Sequence, residues 1–255
     1  MKIGLCGLGR AGQTMAKKIL DSDKHELSCV ICREISETAG MDVSQIMGIF
    51  PIGLKVIKLS EFALLDQSKL PDIVIDFSNH SMSLELMRVC ENLGINLVIC
   101  TTGFTDEGRT EMIETGLRKK IGLVYAPTLT LGINLLIEVV SKLSAMLPWF
   151  DFAIVERHRK DKKRVTTTAQ LIADATKRDD IHISSVRAGG YVGIHEVTAA
   201  SENERLTITH ESFNRGAFAD GAMMAAEFIN GRKGYYEMKN VIDDFVQRLK
   251  DNEDC

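Results

Sequence analysis

The chain opens with a glycine pattern that strongly restricts how it can begin to fold. Gly7, Gly9 and Gly12 form a G-x-G-x-x-G loop that follows a short apolar run and precedes a helical pattern. The first glycine permits a tight turn, the second lets the backbone approach a pyrophosphate, and the third lets the helix pack on the strand. The loop therefore predicts a dinucleotide site at the start of a helix. A glycine-rich turn without a ligand is the alternative.

The composition is typical of a globular enzyme and argues against other classes. The chain has 255 residues, is 45% hydrophobic and carries a formal net charge of -4 at pH 7. A net negative charge argues against nucleic acid as the partner. The best candidate for a membrane span, LGINLLIEVV, is interrupted by Glu138, and the first residues do not resemble a signal peptide. We expect a cytoplasmic protein with neither a nucleic-acid nor a membrane partner.

The six cysteines are scattered along the chain, and four of them lie in apolar runs where a free thiol behaves as a small hydrophobe. This usage is typical of a reducing cytoplasm. Cys29 and Cys32 form a C-x-x-C pair, but residues three apart on a strand face opposite sides, and no second pair completes a zinc site. We therefore predict no metal.

Apolar strand-like runs alternate with helical patterns through the first half of the chain. Such alternation predicts an α/β fold with a Rossmann-like, doubly wound parallel sheet. The predicted strands are KIGLC, LSCVIC, LKVIKL, DIVIDF, INLVIC and IGLVYA, and the predicted helices lie at 10–20, 80–91 and 105–119. Ligands of such sheets bind beyond the carboxyl ends of the strands. Polar residues follow three of these ends, at 76–78, 100–104 and 126–128.

From residue 131 the pattern changes to that of a smaller α+β domain with an open mixed or antiparallel sheet. We predict a helix at 131–147, a strand at 151–158 and a helix at 167–176. Strand-like stretches at 181–189, 191–201 and 204–212 follow closely and predict an antiparallel meander. Two further helices, at 216–230 and 238–250, are expected to return to the first domain.

The end of the second strand bears on the choice of cofactor. NAD sites use an acidic residue there to bind the ribose hydroxyls, whereas an arginine accommodates the 2′-phosphate of NADP. The expected acidic position is Cys32, which cannot repel a phosphate, and Arg33 follows it. These residues favour NADPH. NADH stays open as an alternative, because Glu34 could serve as the acid if the strand ends slightly later.

A strongly basic segment at 156–164 begins within the last residues of the strand at 151–158 and continues beyond its end. A solvated surface loop and a nucleic-acid patch are two plain explanations. However, three threonines at 166–168 open the next helix, and hydroxyls with free N–H groups beside lysines suit a carboxylate. The segment therefore predicts a site for a small anion or dicarboxylate.

Taken together, the motifs resemble the dihydrodipicolinate reductases, or 4-hydroxy-tetrahydrodipicolinate reductases, of bacterial lysine biosynthesis. The resemblance rests on the glycine loop and on VIDFS, TTGF, APTLTLGIN, ERH, VRAGGYVGIHEV, ERLTITHES and FNRGAFADGAMMAAEF, in this order. It implies NAD(P)H-dependent reduction of 4-hydroxy-tetrahydrodipicolinate to tetrahydrodipicolinate by a homotetramer. It also implies a dinucleotide-binding domain at 1–129 and 216–255, and a substrate-binding and oligomerisation domain at 130–215.

The motifs and the resemblance together give a set of candidate site residues. The resemblance assigns His158 as the acid and Lys162 as a catalytic or substrate-holding lysine, while His195 is expected to be structural or intersubunit. The expected cofactor contacts are Gly7, Gly9, Arg10, Ala11, Gly12, Cys32, Arg33, Phe77, Ser78, Thr101, Thr102, Gly103, Ala126 and Thr128. The expected contacts to a small-molecule carboxylate substrate are Arg159, Lys163, Thr166, Thr167 and Thr168.

The chain departs from the family pattern around its acid. The family has E-x-H-H-x-x-K-x-D-A-P-S-G-T-A, whereas this chain has E-R-H-R-K-D-K-K-R-V-T-T-T-A. Arg159 stands at the second histidine, the Pro-Ser-Gly turn is lost, and Thr128 replaces an asparagine. Two alternatives therefore stay open: a paralogous reductase of a different cyclic imine or oxo acid, and a non-catalytic nucleotide-binding regulatory protein.

Overall fold

A computed structural model of the chain describes residues 1–162 and 165–253. The chain divides into two compact units. The first contains Met1–Pro127 together with the chain from Phe218 onward, and the second is Thr128–Ala217. Among the described residues, no helix combines the length and the apolar character that crossing a membrane requires.

The first unit is built on a seven-stranded sheet, counted over the described residues, in which every neighbouring pair is parallel. The strand order is β11-β6-β5-β4-β1-β2-β3. The strands are β1 Lys2–Cys6, β2 Glu26–Cys32, β3 Val56–Lys58, β4 Ile73–Asp76, β5 Asn96–Ile99, β6 Gly122–Tyr125 and β11 Gly234–Glu237. This sheet confirms the predicted doubly wound architecture. The short β11 was not predicted, because GYYE is too brief for a periodic signal.

Helices connect these strands. They are α1 Arg10–Leu20, α2 Val43–Met47, α3 Leu59–Phe62, α4 His80–Leu93, α5 Asp106–Leu117, α8 Gly216–Ile229 and α9 Met238–Glu253, with a 3-10 turn at Gln67–Lys69. The strands are buried on both faces, which explains their continuous apolar sequences. The strand order reverses between β1 and β4, and a ligand crevice is expected beyond the carboxyl ends at such a reversal.

In the described part of the second unit, two helices, α6 Leu131–Met146 and α7 Thr167–Thr176, pack on a four-stranded sheet. Its strands are β7 Asp151–His158, β8 His182–Arg187, β9 Gly193–Ala200 and β10 Arg205–Ser212. The order is β10-β9-β7-β8. Apolar residues of both helices and the sheet form its core, among them Ile133, Val140, Phe152, Ile154 and Ile172.

The pairing of β8 corrects the predicted meander. β8 does not pair with β9 but lies on the other side of β7, parallel to it, while β9 is antiparallel to both β7 and β10. The meander prediction was wrong because alternation of apolar residues identifies a strand without identifying its neighbour. Since α7 connects β7 to β8, the connection is long enough for a parallel crossover.

Candidate active site

The glycine loop is closely packed where the sequence predicts close packing. Gly7 has a φ of +86° and donates its N–H to the carbonyl of Ile31 over 3.1 Å. A Cβ at residue 7 would lie 2.9 Å from the backbone of Phe77, and one at Gly12 would lie 2.0 Å from the carbonyl oxygen of Gly7. Side chains at either position would therefore clash with backbone atoms.

Gly9, by contrast, faces open space. Its backbone is extended. Among the residues that the structure describes, no atom of a neighbour lies within 4 Å of the position of its Cβ, and no side chain caps the start of α1. The side chain of Gln13 donates to the carbonyl of Leu8 over 3.1 Å and so braces the loop. Uncapped N–H groups at a helix start, beside a glycine that leaves room, fit the pyrophosphate of a dinucleotide.

The end of β2 presents one engaged acid and one exposed arginine. The carboxylate of Glu34 accepts hydrogen bonds from the backbone N–H and the hydroxyl of Ser60, over 2.8 and 2.9 Å. The bond from the Ser60 backbone is the main cause that lowers the pKa of Glu34. Arg33 is exposed, and among the described residues no carboxylate pairs with it. The acid that could favour NADH is therefore occupied at the start of α3.

A buried polar network joins the ends of β4 and β5. Asp76 is fully buried and accepts from the backbone N–H of Ser78 over 2.9 Å and from its hydroxyl over 2.5 Å. The hydroxyl of Ser83 donates to the other carboxylate oxygen and lies 2.7 Å from the hydroxyl of Thr101. Burial raises the pKa of Asp76, and these hydrogen bonds oppose that shift.

The loop after β5 turns at a glycine. Gly103 has a φ of +88° with open space around the position of its Cβ, and Thr102 is exposed beside it. Ala126 is buried after β6 and donates its N–H to Ile99. The structure thus brings the glycine loop, Phe77 and the Thr101 loop to neighbouring strand ends of one unit.

In the second unit, Glu156 on β7 is fully buried, and both of its carboxylate oxygens accept hydrogen bonds. One carboxylate oxygen accepts from the hydroxyl of Ser185 over 2.6 Å and from the guanidinium of Arg187 over 2.5 Å. The other accepts from the N–H and hydroxyl of Thr166, over 3.1 and 2.5 Å. Burial alone would raise the pKa of Glu156, but these hydrogen bonds outweigh it and lower the pKa to about 2.

His158, two residues further on the same face of β7, has one engaged and one free ring nitrogen. Nδ1 lies 3.1 Å from the carbonyl oxygen of Val192, so that nitrogen carries the proton of the neutral ring. Nε2 is buried, lies 3.9 Å from a carboxylate oxygen of Glu156, and makes no hydrogen bond among the described residues. Burial lowers the pKa of His158. Gly193 packs on the ring, since a Cβ there would lie 2.9 Å from its Cε1.

His195 on β9 lies directly opposite Glu156 and packs edge-on against His158, with ring centroids 5.2 Å apart. Burial, and then the neighbouring His158, lower the pKa of His195 to about 4.

Glu156, His158 and His195 hold three potential metal-ligand atoms within 4.8 Å of one another. However, both oxygens of Glu156 already accept two hydrogen bonds, one from a guanidinium, so this set does not fit a resident cation.

The basic segment is only partly engaged. Arg159 pairs with Asp161 over 2.8 Å, and Lys162 is exposed. Lys163 and Arg164 lie outside the described residues, so the substrate contact predicted for Lys163 has no structural description here. Thr166 caps α7 by accepting from the N–H of Ala169 over 3.2 Å, and its proton goes to Glu156.

The other two threonines of this triplet differ in exposure. Thr167 is exposed, whereas Thr168 is half-buried and its hydroxyl lies 3.1 Å from that of Thr128. This pair joins the chain before α6 to the first turn of α7.

Several residues that organise the site were given no site role by the sequence, although two of them lie in the segments 76–78 and 156–164 that it singled out. These are Gln13, Asp76, Ser83, Glu156, Ser185 and Arg187. For Glu156 a signal existed: Phe152, Ile154, Glu156 and His158 alternate along the buried face of β7, so a charged residue stands at a core position. Two of its partners, Ser185 and Arg187, could not be chosen, because they lie about thirty residues away on a strand with an unpredicted neighbour.

Two family models together match most of the chain. The model described as dihydrodipicolinate reductase, N-terminus, matches residues 1–129, and that described as dihydrodipicolinate reductase, C-terminus, matches residues 132–242. A 4-hydroxy-tetrahydrodipicolinate reductase of Methanopyrus kandleri is 32% identical over 92% of this chain and 93% of the relative. The enzyme of that name from Myxococcus xanthus is 30% identical, over 92% and 94%.

A solved structure shares the fold. The dipicolinate-bound dihydrodipicolinate reductase from Paenisporosarcina sp. TG-14 superimposes with a TM-score of 0.74 at 23% identity. The match covers 93% of this chain and 97% of that one.

Proposed function

The chain belongs to the dihydrodipicolinate reductase family, and we propose that it reduces 4-hydroxy-tetrahydrodipicolinate to tetrahydrodipicolinate with NADPH as the preferred hydride donor. It is an NAD(P)H-dependent oxidoreductase of lysine and diaminopimelate biosynthesis. Within the proposal it acts as a homotetramer, which the sequence resemblance supports. We place it in the cytoplasm, which the scattered free cysteines support.

The proposal divides the work between two domains. Residues 1–129 and 216–255 bind the dinucleotide, and residues 130–215 bind the substrate. The parallel sheet with its glycine loop supports the first assignment, because the loop offers uncapped N–H groups to a pyrophosphate. The buried acid–histidine cluster and the basic segment after β7 support the second.

The preference for NADPH rests on the end of β2. Glu34 is held by Ser60, whereas Arg33 is exposed next to Cys32. An arginine suits a 2′-phosphate because a charge-assisted hydrogen bond to phosphate is stronger than a neutral one. The ribose hydroxyls of NADH would have to compete with Ser60, which already donates to each oxygen of Glu34.

The reaction replaces a ring hydroxyl by hydrogen, so it consumes a hydride and a proton and releases water. The bound reduced nicotinamide supplies the hydride. His158 supplies the proton in this proposal. The observation that carries it is the buried Nε2, which has no hydrogen-bond partner among the described residues and lies 3.9 Å from an ionised carboxylate. The bond from Nδ1 to Val192 fixes the ring so that Nε2 alone can exchange a proton.

Glu156 supports that role through its charge. With a pKa of about 2 it stays ionised at neutral pH, and a carboxylate within 4 Å favours the protonated imidazole. The burial of His158 opposes protonation. In our proposal the two carboxylates of the substrate add negative charge near the ring and so help it to hold the proton until hydride arrives.

We assign the substrate carboxylates to the basic segment and the start of α7. Lys162 and Thr167 are exposed, and Thr168 stands in the first turn of a ten-residue helix whose N–H groups favour anions. Arg159 and Lys163 complete the proposed set. Thr166 belongs to it indirectly, because its N–H and its hydroxyl both donate to Glu156 and so hold that carboxylate beside His158.

The test follows NADPH and NADH absorbance with freshly generated 4-hydroxy-tetrahydrodipicolinate, beside a panel of cyclic imines and oxo acids. We expect turnover of the first compound with a higher kcat/KM for NADPH. Reduction of another imine without turnover of 4-hydroxy-tetrahydrodipicolinate would move the proposal to a paralogous reductase. Cofactor binding without oxidation of NADPH by any compound would favour a regulatory protein.

A further inference from the structure

We propose that Asp76 is a positioning residue that sets the direction of a hydroxyl chain through Ser83 to Thr101, so that Thr101 presents a hydrogen-bond acceptor to the nicotinamide carboxamide. The inference rests on the proposed cofactor. It concerns how that cofactor is oriented, which the glycine loop does not decide.

The position of this hydroxyl chain, Asp76–Ser83–Thr101, follows from the strand order of the sheet. The strand order reverses between β1 and β4, and Arg33 places the phosphorylated ribose on the β2 side of this reversal. The nicotinamide half then extends over β4 and β5. Backbone bonds hold these strand ends together, from Phe77 N–H to Cys6 over 2.8 Å and from Cys100 N–H to Asp76 over 2.9 Å. Thr101 follows Cys100 and therefore lies on the nicotinamide side.

The donors around Asp76 determine where each proton lies. The backbone N–H of Ser78 can only donate, so the oxygen it reaches over 2.9 Å is an acceptor. The Ser78 hydroxyl shares that oxygen, and the Ser83 hydroxyl reaches the other. Ser83 also lies 2.8 Å from the carbonyl of Asn79, but the carboxylate is the nearer and charged acceptor. The single hydroxyl proton of Ser83 therefore points to Asp76.

The direction of the next bond follows. The hydroxyl oxygens of Ser83 and Thr101 are 2.7 Å apart, which requires one proton between them. Because the proton of Ser83 is used on Asp76, Thr101 must donate. Its oxygen then offers only lone pairs to a ligand. A nicotinamide carboxamide has one donor group and one acceptor group, so Thr101 selects the orientation that brings the NH2 group to it.

Replacing Asp76 by Asn removes the charged acceptor that sets the direction of these hydroxyls. The Ser78 N–H still requires an acceptor, so the amide oxygen takes that side and the amide NH2 faces Ser83. Ser83 can no longer donate there and must turn its proton to the carbonyl of Asn79 or to Thr101. Whenever it donates to Thr101, the proton of Thr101 points outward, so the preference for a carboxamide donor is weakened.

The experiment compares the binding of NADP⁺ and of its 3-acetylpyridine analogue, in which a methyl group replaces the carboxamide NH2. Dissociation constants are measured by calorimetry for the wild-type protein, Asp76→Asn and Thr101→Val. We expect the wild type to bind NADP⁺ about three- to tenfold more tightly than the analogue, as one hydrogen bond predicts. We expect a ratio close to one for Thr101→Val and a ratio below that of the wild type for Asp76→Asn.

Asp42→Asn is the matched control. Asp42 forms the same Asp-x-Ser turn, accepting from the N–H and hydroxyl of Ser44 over 2.8 and 2.5 Å, but it has no link to Thr101 among the described residues. This variant should keep the wild-type ratio. The affinity for 2′-phospho-ADP-ribose, which lacks nicotinamide, should be unchanged in all variants and reports on the rest of the cofactor site.

The outcomes separate the inference from the cofactor assignment. If NADP⁺ and 2′-phospho-ADP-ribose both fail to bind the wild type, the cofactor assignment fails and the inference fails with it. If NADP⁺ binds but the wild type shows a ratio of one, the inference alone is overturned. A wild-type preference that persists in Thr101→Val also overturns it, even if Asp76→Asn does not fold.

Discussion

Glu156 and Arg187 form a buried ion pair across the parallel strands β7 and β8, with the guanidinium nitrogen 2.5 Å from the carboxylate oxygen. The side chain of Glu156 is 0% exposed and that of Arg187 is 11% exposed. The pair connects the strand that carries His158 to the strand whose position the sequence did not reveal. Because each charge is largely removed from water, the loss of either partner leaves a costly unpaired charge.

We therefore expect Glu156→Gln to lower the free energy of unfolding by about 3 to 5 kcal/mol. Urea denaturation followed by circular dichroism measures this. Glu196→Gln is the control, because Glu196 pairs with Arg157 over 3.2 Å at a site where both side chains are more than a quarter exposed. Such partly exposed pairs contribute roughly 1 kcal/mol or less. Equal losses in the two variants would contradict the role given to the buried pair.

The lowered pKa of Glu156 predicts how the stability of the fold depends on pH. The pKa of Glu156 is about 2 in the folded protein and is restored towards 4.5 on unfolding. A lowered folded pKa stabilises the protein fully above the unfolded value, and this stabilisation is lost as pH falls from about 4.5 to about 2. Thermal unfolding at a series of pH values should show a fall in Tm over this range that is smaller in Glu156→Gln. Parallel curves for the two proteins would refute the prediction.

The proton donor is tested by His158→Gln. Since positioned proton donors contribute about a hundred- to ten-thousand-fold, kcat should fall by that range while the dissociation constant for NADPH stays nearly constant. Steady-state kinetics and a binding titration measure the two effects. His182→Gln, at an exposed position on β8, should leave kcat unchanged. A variant at 158 that keeps most of its kcat would assign the proton to another group, with Lys162 or Lys163 to be tested next.

Gly193 should matter because it leaves room for the His158 ring. A Cβ at residue 193 would lie 2.9 Å from the ring, so Gly193→Ala should displace the imidazole and reduce kcat without changing NADPH affinity. The matched control is Gly190→Ala, since a Cβ at residue 190 meets no atom within 4 Å. Wild-type kcat in both variants would show that the ring position does not depend on this contact.

Arg33 should discriminate between the two cofactors. A charged hydrogen bond to phosphate contributes about 1.5 to 3 kcal/mol, so Arg33→Ala should weaken NADPH binding roughly ten- to a hundredfold and leave NADH binding almost unchanged. Fluorescence titration with each cofactor measures this. Arg10→Ala, at the first residue of α1, should affect both cofactors to the same degree. Equal losses in Arg33→Ala would remove this arginine from the 2′-phosphate site.

Much of the fold follows from local sequence. The parallel sheet could be predicted because strands buried on both faces need continuous apolar runs, and helices of sufficient length separate them. The glycine loop could be placed because its requirements are largely local: Gly7 has a φ of +86°, and a Cβ at Gly12 would meet the carbonyl oxygen of Gly7. The family could be named because its short motifs occur in order along the chain, and the family models confirm it.

The tertiary structure decided which of these segments meet. The sequence identified β8 as a strand, but only folding placed it parallel to β7, where Ser185 and Arg187 reach Glu156. Alternation of apolar residues does not specify which strand is the neighbour, because strand pairing depends on the crossover helix and on the shared core. Likewise, the sequence placed His158 at a strand end, whereas its free nitrogen was set by Val192 and Gly193, more than thirty residues away. Residue types and local patterns were fixed by the chain itself, and the charge state and hydrogen-bond direction of the site were fixed by contacts distant in sequence.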